Sequence, residues 1–117
     1  MAVEMTDQAF DEAVADALDQ IPAALMAKID NVAILVEDDP PPDHPGVLGL
    51  YHGIPLTGRD TTYAGVLPDL IFIFRRPLKR HARSTEHLVR QIAVTVVHEI
   101  AHYFGFDDAE LHELGWG

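Results

Sequence analysis

Near the end of the chain, His98-Glu99-Ile100-Ala101-His102-Tyr103-Phe104-Gly105-Phe106-Asp107-Asp108 spells H-E-x-x-H-x-x-G-x-x-D. No other feature constrains the fold as tightly. On a helix, residues i and i+4 stand one above the other, so His98 and His102 can offer two imidazoles to one metal ion if this stretch is helical. Glu99 is rotated by about 100 degrees; it borders such an ion without having to ligate it, and can take a proton from a metal-bound water. Gly105 falls where the helix should end, because glycine adopts the left-handed conformation that closes helices. The turn it permits returns Asp108 toward the histidines as a third ligand, a position for which spacing favours it over Asp107 and His112. Three protein ligands and one open water position make a catalytic zinc site rather than a structural one. H-E-x-x-H arises in about 0.02 of shuffled chains of this composition, and the added glycine and carboxylate lower that figure more than about tenfold. Chance is therefore a poor account of the motif.

Composition narrows the rest. A chain of 117 residues, 48% of them hydrophobic, is expected to form one domain, 1–117, with a proper core. It has no cysteine, so disulfides and Cys-ligated zinc are excluded and any metal must use His and carboxylate. No apolar run reaches the roughly 20 residues of a membrane span. The acidic start, Met1 to Asp7, lacks the basic opening of a secretory signal, which makes a cytoplasmic protein the expectation. A net charge of −11 disfavours nucleic acid and anionic membrane surfaces as partners.

Periodicity predicts the elements. Phe10, Val14, Ala17 and Leu18 give residues 7–19 an apolar helical face, with Thr6 or Asp7 as cap. A second helical piece is expected over 22–28, closed by Asn31. Residues 32–37 form a short β-branched run, expected as a buried strand. Four prolines between Asp38 and Gly46 impose a stiff loop. Residues 47–51 and 69–75 predict two more strands, the second ended by Pro77; residues 56–67 show no pattern. A long helix over 84–104, capped by Ser84 and supported by a Glu86–Arg90 pair, carries the motif. A short helix over 108–114 follows. The basic run Arg75-Arg76, Lys79-Arg80 and Arg83 is expected to be a solvated connection, with steering of an acidic partner as its other reading, and His44, His52 and His81 are expected to be solvated surface residues. His87 lies roughly 16 Å along the helix from His98 at 1.5 Å per residue, too far to share its site.

The chain resembles the minimal zincin-like metallopeptidases, a small bacterial family that holds only the upper half of the zincin fold. The resemblance rests on Gly49-Leu50-Tyr51-His52-Gly53-Ile54-Pro55-Leu56-Thr57-Gly58-Arg59, on Leu67 to Phe74, on the metal motif, and on Leu111 to Trp116. It differs from metzincins, which place histidine where this chain has Asp108 and follow the motif with a methionine turn; Met1, Met5 and Met26 all lie upstream. The resemblance implies an α+β, zincin-like fold: N-terminal helices, a small mixed sheet of about three strands or more, and a long active-site helix followed by a short C-terminal one. It also implies zinc as cofactor, His98, His102 and Asp108 as metal ligands, Glu99 as general base, and hydrolysis of peptide bonds as the reaction.

A peptide or protein substrate is expected to add as a strand to an exposed sheet edge, formed by 69–75 or 47–51. A homodimer or other partner is expected to complete so small a cleft. Tyr51 and Arg59 are candidates for binding substrate and equally for anchoring a loop; Tyr63 is a weaker one. His112 is expected at the surface, and Trp116 as a lid over the core. Two other functions compete. One is a non-catalytic zinc- or peptide-binding domain. The other is a metal-dependent endoribonuclease of the rRNA-maturation kind, whose two-histidine motif lacks a glutamate in the place of Glu99.

Overall fold

The computed structural model describes residues 2–53, 68–107 and 109. Asp7–Asp19 forms helix α1, with the Thr6 hydroxyl accepting from the Ala9 N–H at 3.1 Å. A single turn, α2 (Ala23–Met26), follows Pro22. Asn31 then takes a left-handed φ of 57°, a conformation asparagine tolerates better than most residues, and the chain enters strand β1 (Val32–Glu37). Among the described residues, strands β2 (Gly49–His52) and β3 (Asp69–Phe74) join it in a sheet of order β1-β3-β2. β1 runs parallel to β3 and β2 antiparallel to it. The fold is therefore α+β with a small mixed sheet, as expected.

β3 is the central strand. Its apolar run is almost wholly buried: Ile71 and Ile73 face the helices with no exposed surface, while Leu70 and Phe72 on the other face are partly covered. β1 is less buried than its β-branched run predicts: among the described strands it has a partner on one side only, and Leu35 stays exposed. The basic run after β3 is not an irregular connection but a helix, α3 (Arg75–His81). Pro77 sits in its first turn, where a missing N–H leaves no intrahelical bond unmade.

The long helix α4 (Thr85–Tyr103) starts at Ser84, whose hydroxyl accepts from the His87 N–H at 3.0 Å. It ends at Gly105, whose φ of 99° gives the expected left-handed closure. Leu88, Ile92, Val96 and Ile100 on α4 meet Phe10, Val14 and Ala17 on α1, with Ile71, Ile73 and Leu78 completing the core. The predicted pair between Glu86 and Arg90 is not made. The short helix expected over 108–114 falls outside the described residues.

One ion cluster holds the periphery. The guanidinium of Arg75 meets Asp11 at 3.1 Å, Asp38 at 3.2 Å and Asp7 at 3.7 Å, and lies over the Phe10 ring. Burial works against its charge, but hydrogen bonds to Asp11 and Asp38 and the charges of Asp11 and Asp7 outweigh this and raise its pKa. The acidic residues of α1 thus have a partner beyond the helix dipole. Phe10 lies beneath this cluster with no exposed surface, so Phe10→Ala is expected to destabilise the fold by about 3–5 kcal/mol. The midpoint of urea unfolding measures this, and an unchanged midpoint would show that α1 is not part of the cooperative core.

Candidate metal centre

α4 brings the motif together. The i,i+4 spacing stacks the His98 and His102 rings with centroids 4.6 Å apart and planes at 80°. One ligand-type atom each from His98, Glu99 and His102 lies within 4.8 Å of the others. Glu99 is buried at 6% exposure, and its Oε1 lies 2.9 Å from His102 Nδ1. A carboxylate so far from water needs partners, and His102 supplies one. Two imidazoles and a carboxylate, gathered on one helix face, are the donor set that zinc takes.

The sheet meets this face at Gly49, the first residue of β2. A Cβ built there would lie 2.7 Å from Thr95 Cγ2, 3.0 Å from the Phe72 carbonyl oxygen and 3.1 Å from Glu99 Cγ. Only glycine lets β2 come so near the helix. Thr95 cannot easily turn aside, because its hydroxyl donates to the Gln91 carbonyl at 2.7 Å. Gly49 therefore packs directly against the stem of Glu99. A glycine inside a strand run signals a close backbone approach; that cue is present in Val47 to Tyr51 and identifies the contact.

Between β2 and α4 runs a cleft of about 550 Å³, bounded by residues 47–50 on one side and by α4 from Gln91 to His102 on the other. His81, expected to be a plain surface residue, reaches into its wall from the end of α3. Of the two edge candidates, 69–75 is excluded, because β3 is paired on both sides; among the described strands, β2 is the one that borders the cleft and is paired on one side.

Tyr51 is held by two neighbours. Its hydroxyl donates to the buried Asp69 at 2.6 Å, and its ring meets Tyr103 edge-on. Tyr103 in turn bonds the backbone of Asp30 through its hydroxyl, at 3.1 Å from the N–H and 3.2 Å from the carbonyl oxygen. These contacts lock the end of α4 to the sheet and give Tyr51 an anchoring part. Asp107 is exposed just beyond the Gly105 turn. Asp108, Arg59, Tyr63, His112 and Trp116 lie outside the described residues.

A mixed sheet with one strand running beside a helix that bears H-E-x-x-H is the arrangement of a zincin. The chain belongs to the family of zincin-like metallopeptidases, whose model matches residues 29–116. A conserved hypothetical protein (TTHA0227) from Thermo thermophilus has the same fold, with a TM-score of 0.59 over 94% of this chain and 97% of its own, at 23% identity. No curated protein matches the chain.

Proposed function

We propose that the protein is a zinc-dependent peptidase in which His98, His102 and Asp108 hold the metal and Glu99 is the general base. The observation that carries this reading is the gathering of His98, Glu99 and His102 on the face of α4 that opens into the β2 cleft. When bound, zinc supplies a water acidified toward a pKa of about 7 and polarises the scissile carbonyl. The 2.9 Å contact of Glu99 Oε1 with His102 Nδ1 keeps the carboxylate beside the imidazole that would hold the metal, within reach of a water on that metal.

Glu99 has two tasks in this scheme. It takes the proton of the attacking water onto its carboxylate, then delivers it to the departing amine. Its burial keeps bulk water from competing for that proton. β2 holds an extended peptide by main-chain hydrogen bonds along the edge that faces the cleft, the usual way a sheet edge takes a strand. A second copy or a partner chain would close the side of the cleft that β2 and α4 leave open.

Metal content tests the proposal first. Protein purified without added metal is expected to carry about one zinc per chain, as a three-ligand catalytic site requires. His102→Ala and Asp108→Ala are each expected to lower it severalfold, read by elemental analysis. A wild type that neither carries nor takes up zinc would end the peptidase reading. Retention of zinc by Asp108→Ala would move the third ligand elsewhere.

A further inference from the structure

The charge of this protein is unevenly placed, and the exception adjoins the cleft. The net charge is −11, yet six of the eight Lys and Arg lie between residues 75 and 90, where Glu86 is the sole carboxylate. Two of those cations are engaged: Arg75 by Asp7, Asp11 and Asp38, and Arg76 by Asp39. Among the described residues no carboxylate pairs with Lys79, Arg80, Arg83 or Arg90. They surround the α3–α4 junction, the point from which His81 enters the cleft wall.

The geometry concentrates positive potential there. The His81 ring lies 6.0 Å from that of His87, whose Nδ1 accepts from the Arg83 N–H at 2.9 Å. Loss of hydration, then the charges of Arg90 and Arg83 and the neighbouring His81, hold the His87 imidazole below its ordinary pKa. Within the cleft, the wall between His81 and the metal face is mostly apolar or small, from Val47 to Leu50 and at Val94 and Thr95; Gln91 and His81 are the polar side chains at that end. An acidic group is repelled by most of this surface and drawn to one end of the cleft.

Resting on the peptidase reading of the site, we propose that the His81 end of the cleft reads a carboxylate on the bound peptide. The substrate class is then peptides with an acidic group on the α3–α4 side of the scissile bond. His81 and Gln91 donate to that carboxylate, while Arg80, Arg83 and Lys79 supply the field that draws it in. Their contribution falls with salt, since exposed charges are screened over about 10 Å at 0.1 M.

Binding, rather than turnover, separates this proposal from the one beneath it. Zinc-loaded Glu99→Gln protein is titrated with fluorescein-labelled, C-terminally amidated octapeptides in which one Asp, Asn or Lys is walked along a neutral sequence. A parallel set carries a free C-terminal carboxylate, which distinguishes a side-chain acid from a terminal one. Asp at one or two positions, or the free terminus, is expected to bind roughly fivefold tighter than its neutral counterpart, with Lys weaker than Asn. His81→Ala should shrink the gap and the exposed double change Arg80→Glu/Arg83→Glu should reverse it. Equal binding of Asp, Asn and Lys peptides with no gain from the free terminus, or a preference untouched by charge reversal, overturns the proposal and leaves the peptide reading standing. Failure of every peptide to bind removes the peptide reading, and this proposal with it.

Discussion

Glu99→Gln is expected to keep zinc near the wild-type stoichiometry and to lower kcat/KM for peptide hydrolysis by about 10²- to 10⁴-fold, the usual contribution of a positioned acid–base group. The amide has nearly the shape of the carboxylate, so it fits the buried pocket against Gly49 and Thr95, and its oxygen can still accept from His102 Nδ1. It cannot take a proton from water. Fluorogenic peptide assays alongside elemental analysis separate the outcomes. Loss of zinc together with activity would make Glu99 a ligand rather than a base, a real alternative given that its carboxylate lies within the same 4.8 Å cluster as the two imidazoles. Full activity in Glu99→Gln would place the base elsewhere. Zinc binding without hydrolysis of any substrate by the wild type would leave a peptide-binding domain.

The second large effect is expected at Gly49. Gly49→Ala places a methyl group 2.7 Å from Thr95 Cγ2 and 3.0 Å from the Phe72 carbonyl oxygen. Overpacking of this kind destabilises by about 1–3 kcal/mol. Here the displaced neighbours include Glu99, so activity should fall by more than about tenfold, since small misplacements of reacting groups are costly. Thr95→Ser removes the offending methyl and keeps the hydroxyl that bonds Gln91. The double variant should therefore recover part of both losses, giving a coupling of about 0.5 kcal/mol or more in a double-mutant cycle. The backbone oxygen of Phe72 cannot yield, so recovery stays incomplete. Additive losses from the two changes would mean that Gly49 does not act through this contact.

Much of the fold is legible in the chain because its signals are local. Thr6 and Ser84 are caps placed just before amphipathic runs, and both accept from the N–H three residues on. Asn31 and Gly105 stand where the backbone must turn left-handed. The continuous apolar run of 70–74 matches a central strand covered on both sides. α3 is hidden by Pro77, which stops a strand but is also tolerated in the first turn of a helix. The order β1-β3-β2 is hidden because strand pairing depends on partners distant in sequence, and periodicity within a strand does not identify its neighbour.

The candidate site divides along the same line. The sequence by itself determined that His98 and His102 share a helix face, with Glu99 beside them and a turn at Gly105, because helical spacing is a property of a few consecutive residues. Only the tertiary structure decided what faces that helix. It set Gly49 against Thr95 and Glu99, made 49–52 rather than 69–74 the strand beside the cleft, turned Tyr51 toward Asp69, and brought His81 into the wall. Those are contacts between residues far apart in the chain. They form only when the sheet and α4 share one core, and no local spacing encodes them.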